Sequence, residues 1–181
     1  PLMRVGEELK PMDDKTYLSI IQEQEPDFSE QYCLEATMDD LDENAIRVLK
    51  GKYARKQHNP SFISISNEQA LSDLKLISNG KITYAAILLV GKESSIEQYF
   101  PQAKVFLEYR KTEAQVEYNN RKVFGQPFYI LIDQLWNAIN EKNESIPVRE
   151  GSYIFDISYF NEMVIREIVN NAFAHRDYRK N

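Results

Sequence analysis

The sequence predicts an α+β fold in which helices pack on a small antiparallel sheet. Three observations predict it. Apolar side chains recur at helical spacing in blocks near residues 41–49, 130–139 and 165–173. Residues 103–110 alternate between apolar and polar, as a half-buried strand does. The pairs Asn79-Gly80 and Glu150-Gly151 break the chain where tight turns fit.

Taken in order, Met3-Arg4-Val5-Gly6 reads as the end of a strand entering a turn. Asp13 or Asp14 caps a short helix through Tyr17, Leu18, Ile20 and Ile21, which Pro26 closes. Phe28 to Ala36 mixes aromatics with acids and reads as extended. A helix then starts near Thr37-Met38-Asp39-Asp40, with Leu41, Ala45, Val48 and Leu49 on one face. Asn67 reads as a cap before Ala70, Leu71, Leu74 and Leu76. Between Thr83 and Gly91 lies an apolar run whose period suits either a buried strand or a buried helix. Thr83 as cap, two alanines and Gly91 at the end favour the helix. Pro127 opens a helix carrying Ile130, Leu131, Leu135, Trp136 and Ile139. Two strands, Val148 to Arg149 and Ser152 to Phe155, precede a last helix from about Tyr159 to Phe173.

Composition bounds the function. The 181 residues carry 22 Lys and Arg against 28 Asp and Glu, a net charge of −6, which opposes wholesale wrapping of nucleic acid. Hydrophobic residues make up 43%, enough for a core and too many for a disordered chain. The single cysteine, Cys33, excludes an internal disulfide and a cysteine-rich zinc site, so a cytoplasmic setting is expected. The longest apolar run, Tyr84 to Val90, is too short to cross a bilayer, and no membrane partner is expected.

One basic cluster stands out, Lys50-Gly51-Lys52-Tyr53-Ala54-Arg55-Lys56-Gln57-His58. Lys50, Lys52, Arg55 and Lys56 make it the candidate nucleic-acid contact. The plainer reading is a helix end whose cations complement the helix dipole.

The last helix is the segment that carries chemistry. Ile165, Ile168, Val169, Ala172 and Phe173 form an apolar stripe, while Glu167, Asn171 and His175 stand four residues apart on another face. A carboxylate can take a proton from an attacking water, and a carboxamide oxygen one turn away can ligate Mg²⁺. Spacing alone equally fits a solvated helix face. The literal string Glu167-Ile-Val-Asn-Asn171-Ala172-Phe-Ala-His175-Arg176-Asp177-Tyr178 resembles the N-box of GHKL-type ATPases, the superfamily of gyrases and histidine kinases. It is most similar to the form found in bacterial transcriptional regulators of the Schlafen/AlbA and RecG-like class. Arg4-Val5-Gly6 with Lys10-Pro11-Met12 resembles the end of that class's AlbA-type domain. Residues 41–46, 71–77, 85–91 and 100–105 resemble its connecting region in the same order.

The resemblance implies residues 1–25 as the tail of an AlbA/Schlafen-like domain, 26–158 as an α+β connecting domain and 159–181 as the first helix of a GHKL-type ATPase domain. It implies Glu167 as the catalytic base, Asn171 as the Mg²⁺ ligand, and His175 and Asp177 as further cofactor-binding residues. ATP and Mg²⁺ are the cofactors implied for a longer protein, with DNA bound through regions outside this chain. None of the 6 glycines follows an Asp two places before it, so the Asp-x-Gly-x-Gly segment that would hold adenine is absent. No cofactor is therefore expected to bind this chain alone. The other reading is a non-catalytic interaction or dimerisation module, with a second copy of the chain as partner.

Overall fold

The protein is described by a computed structural model covering residues 2–5, 8–18, 27–110, 112, 117 and 120–179. Strands β1 (Leu2–Val5) and β2 (Glu8–Pro11) form an antiparallel pair, and a helical turn α1 follows at residues 14–18. Asp13 starts that turn, its Oδ1 accepting the Thr16 backbone N–H at 2.9 Å. Gly6, Ile20, Ile21 and Pro26 lie outside the described residues.

The extended reading of residues 28–36 is corrected. Asp27 accepts the Ser29 N–H at 2.9 Å and curls Phe28–Glu30 into a 3₁₀ turn, leaving only β3 (Tyr32–Cys33) extended. The following helix also starts later than expected. Thr37 and Asp40 bond reciprocally around a separate 3₁₀ turn, Met38–Asp40, which leaves Leu41 outside any helix and bridged to Gly91. Helix α2 then runs Glu43–Lys56, with Asp42 Oδ1 accepting the Ala45 N–H at 2.7 Å.

Helix α3 (Asn67–Asp73) is capped by Ser66 rather than Asn67, because Ser66 Oγ accepts the Gln69 N–H at 3.1 Å. Strands β4 (Ile77–Ser78) and β5 (Lys81–Thr83) join through Asn79 and Gly80, both at positive φ (52° and 72°), as a two-residue hairpin of this hand requires. The sheet order is β3-β5-β4. Thr83 to Gly91 is the short buried helix expected, α4 (Tyr84–Val90). Helix α5 (Glu93–Tyr99) is absent from the sequence reading; its own apolar content, chiefly Ile96, is too sparse to show a period.

Strand β6 (Val105–Tyr109) confirms the alternating segment and pairs with β7 (Asn120–Phe124). Pro127 lies just before α6 (Phe128–Asn140) instead of inside its first turn. Strands β8 (Ser145–Glu150) and β9 (Tyr153–Ser158) form a hairpin that leads into α7 (Glu162–Ala174). The fold is α+β, and among the described residues its antiparallel pairing is divided among four small sheets. Among the described residues no helix is long and apolar enough to cross a membrane.

The core collects around α4. Ala86, Ile87 and Val90 are fully enclosed, and Leu41, Ala45, Ile46, Leu49, Leu71, Ile82 and Phe100 close over them. Aromatic rings tie the layers together. Phe28 stacks on Tyr84 at 4.8 Å, Tyr84 meets Phe100 edge-on at 5.3 Å, and Phe100 meets Tyr178 at 6.4 Å.

Thr83 sets the start of α4 from inside this core. Its Oγ1 accepts the Ala86 N–H at 3.2 Å and donates to the Leu76 carbonyl at 3.0 Å, with the whole residue buried. Thr83→Val keeps the shape but leaves the Ala86 N–H buried without its acceptor. It is expected to cost about 1–3 kcal/mol, read as a lower urea midpoint, while Thr83→Ser stays closer to the parent.

Candidate functional site: helix α7 and the groove beneath it

Asn161 begins α7 by accepting the backbone N–H groups of Met163 (2.9 Å) and Val164 (3.3 Å). Charge then fixes the helix to its neighbours. Arg166 donates to Asp133 Oδ1 of α6 at 2.7 Å and to Glu162 at 2.8 Å, while Lys52 of α2 reaches Asp133 Oδ2 at 3.0 Å. One carboxylate thus joins three helices. Partial burial pushes the Asp133 carboxyl up, but hydrogen bonds from Lys52 and Arg166 outweigh it and hold the group below its ordinary value.

The other end of α7 is held by its last residues. Arg176 donates to the carbonyls of Gln102 and Lys104, and Gln102 donates back to the Tyr178 carbonyl. Tyr178 is only 7% exposed, donates its hydroxyl to the Phe173 carbonyl at 3.0 Å, and enters the aromatic chain through Phe100 and Phe173. Burial pushes its phenol pKa well up. The polar composition of residues 176–181 suggests fraying beyond Ala174, whereas Tyr178 packs as a core residue and Arg176 is bonded to the Gln102 and Lys104 carbonyls. Lys180 and Asn181 lie outside the described residues.

The site residues read from the sequence fall as follows. Glu167 and Asn171 are exposed, and Asn171 Nδ2 donates to Glu167 Oε1 at 3.2 Å, so the structure brings the carboxylate and the carboxamide together. His175 is exposed at the C-terminal end of α7, its N–H bonded to the Asn171 carbonyl at 3.0 Å. Asp177 is half-buried and turned onto Arg179, at 3.1 Å, rather than onto the Glu167–Asn171 pair. No group of three or more His, Cys, Asp or Glu placed to hold a metal exists among the described residues.

The four basic residues do not form one patch. Lys50 is 7% exposed and donates to the Ile65 carbonyl and to Asn67 Oδ1, which removes it from any phosphate-facing surface. Lys52 is engaged by Asp133, whereas Arg55 and Lys56 sit exposed in the last turn of α2. Burial of Lys50 has no signal in the sequence, since its acceptors come from residues 65 and 67 in a later turn.

Sequence reasoning also missed a groove. A cavity of about 480 Å³ opens between α6, α7 and β6, walled by Val105, Leu107, Leu131, Leu135, Val169 and Phe173. The apolar stripe of α7 is its roof, although only partly covered: Ile165 and Val169 are half-buried, while Ile168 is 57% exposed. The stripe was the available signal; that its partners leave a gap was not.

Comparison with known proteins adds a family. Residues 16–106 match a domain of unknown function, DUF8451. The chain belongs to that family. The DUF8451 match runs from α1 into β6, so α6, α7 and the Glu167–Asn171 pair lie beyond it. No curated protein matches the chain. A crystal structure of the DIP2311 protein from Corynebacterium diphtheriae is similar over 99% of this chain, with 22% identity and a TM-score of 0.65. That likeness is one of fold. This chain spans about a third of the other, since it covers 34% of it.

Two outcomes test how α7 is held. A carboxyl whose folded pKa lies below its ordinary value of 3.8 contributes fully above that value, and the contribution is lost as pH falls through the folded pKa. Trp136 fluorescence on α6 should therefore report loosening of α7 below about pH 4, and Asp133→Asn should flatten that dependence. Separately, Tyr178→Ala should cost about 3 kcal/mol and Tyr178→Phe about 1 kcal/mol in denaturant unfolding. A silent Tyr178→Ala would contradict its place in the core.

Proposed function

We propose that this chain is the connecting and N-box-bearing portion of a cytoplasmic, ATP-linked regulator of the Schlafen/AlbA and RecG-like class, whose DNA contacts lie outside these residues. The observation that carries the reading is the Glu167–Asn171 hydrogen bond on the exposed side of a helix anchored at both ends. With Asn171 Nδ2 given to Glu167 Oε1, Asn171 Oδ1 and Glu167 Oε2 remain as acceptors for other ligands. A carboxylate and an amide oxygen one turn apart are a hard-oxygen set suited to Mg²⁺ beside phosphates.

Mg-ATP, when bound, would supply a cleavable phosphoanhydride with its charge partly neutralised. The chain's own contribution is narrower. Glu167 accepts the proton of an attacking water, and its exposure leaves its carboxylate open to that water. Asn171 offers its amide oxygen as a ligand and steadies Glu167 through its amide hydrogens. The ion pairs at Asp133 keep the helix carrying both from rotating. His175 extends the same row, and Asp177 supports Arg179 at the helix exit.

A second reading, a non-catalytic interaction module, is favoured by β8 and β9. All twelve of their residues are exposed, and one face of the hairpin carries Ile146, Val148, Tyr153, Phe155 and Ile157.

Turnover in the longer protein that the first reading implies separates the two. Glu167→Gln should lower ATP hydrolysis by at least about 100-fold while leaving nucleotide affinity intact. Asn171→Ala should weaken Mg-ATP binding about tenfold. An interaction module leaves both unchanged. The present chain, which has no Asp-x-Gly-x-Gly segment, should give a flat calorimetric titration with Mg-ATP; a micromolar dissociation constant would overturn that part of the reading.

A further inference from the structure

The groove under α7 differs in chemistry from the Glu167–Asn171 face and is independent of it. Its walls are apolar side chains from three elements, and its 480 Å³ falls within the roughly 300–1,000 Å³ usual for small-molecule sites. Two cations border it, Lys104 and Arg176. They are not equivalent. Lys104 is neutralised by Glu97 at 2.7 Å. Arg176 donates only to main-chain carbonyls, and among the described residues it forms no ion pair. Its guanidinium is half-buried, at 5.5 Å from the Tyr178 ring, so its position is set before any ligand arrives. A guanidinium has five N–H donors, and two carbonyls leave several of them unspent.

We propose that this groove binds a small amphiphilic carboxylate, with its apolar body against Leu131, Leu135, Val169 and Phe173 and its anionic head at Arg176. Charge complementarity selects this occupant. An apolar cavity alone would accept any hydrocarbon, whereas an uncompensated, preorganised cation at its border favours an anion and disfavours a cation. Ala172 and Ile168 line the open side of the groove and are both exposed, so a ligand has a route in without opening the core. Occupancy would fill the gap beneath the roof helix, and the bound acid would press on the underside of α7, opposite the exposed pair.

The test is a calorimetric titration of this 181-residue chain with decanoate, using 1-decanol as the uncharged analogue. Decanoate should bind saturably at one site, and 1-decanol at least tenfold more weakly. Ala172→Phe places a ring in the open side of the groove while removing no core group, and it should abolish decanoate binding with the melting temperature held. Arg176→Gln should reduce decanoate to the level of 1-decanol; if that variant unfolds, the comparison of the two ligands on the parent chain decides the role of charge. Equal binding of decanoate and 1-decanol overturns the proposal, as does undiminished binding by Ala172→Phe. So does sedimentation showing a dimer that Ala172→Phe dissociates, because the groove would then be covered by a second copy. The titration reads no ATP chemistry, so its failure leaves the reading of Glu167 and Asn171 untouched.

Discussion

Helix α4 has no side it can turn to water. Ala86, Ile87, Leu88 and Val90 are all buried, and Tyr84, Ala85 and Leu89 pack partly against the same core. A helix that is apolar all round must be enclosed on every side, and the rest of the molecule is arranged to do so. Helices α2, α5 and α6, strand β5 and the 3₁₀ turn at Phe28–Glu30 each contact it. Its seven residues are too few to be stable alone, so α4 exists because it is surrounded, and the surrounding elements have a common core because α4 lies among them. Close packing at its end is visible at Gly91, where an added Cβ would lie 2.4 Å from the Ile87 carbonyl oxygen.

From that centre, order passes to α7 by two unlike interactions. Toward its start the link is electrostatic, through Asp133 shared by Lys52 and Arg166. Such half-exposed pairs are worth little individually, but two cations on one carboxylate specify which helices meet. Toward its end the link is apolar and aromatic, from Phe100 to Tyr178 to Phe173 and on to Phe128 at 4.3 Å. The two anchors leave the middle of α7 spanning the groove. That is why one helix offers an open apolar underside together with an exposed Glu167–Asn171 pair.

Enclosure is uneven along the chain. Elements from Phe28 to Ala103 supply most of the core, and they fall within the span matched by DUF8451. After α6 the character changes: neither β8, β9 nor α7 contains a fully buried residue. The β8–β9 hairpin keeps its strand identity through its ladder and the Gly151 turn at φ 62°, and Asn143 pins its base through two bonds to the Phe160 backbone. A two-stranded hairpin with an apolar face open to water is marginal by itself, which marks this region as the part where a partner or ligand has most to contribute.

Local chemistry was legible in the sequence wherever it depended on neighbours in the chain. Thr83 before an apolar run gave α4, Asn79-Gly80 gave the hairpin, alternation gave β6, and the four-residue spacing gave the contact between Glu167 and Asn171. Each of these is decided within a few residues, by capping, by φ, by the strand's period of two or by the helical repeat. Tertiary structure decided what distant groups would do. Lys50 and Tyr178 look like surface residues in sequence, one in a basic cluster and one in a polar tail. They are buried because Ile65 and Asn67 supply acceptors for the first and Phe100 and Phe173 supply a ring-lined site for the second. The division of the described strands among four sheets, Asp133 as the junction of three helices and the gap beneath α7 belong to the same class. All depend on how side chains separated along the chain meet in space, which no local pattern records.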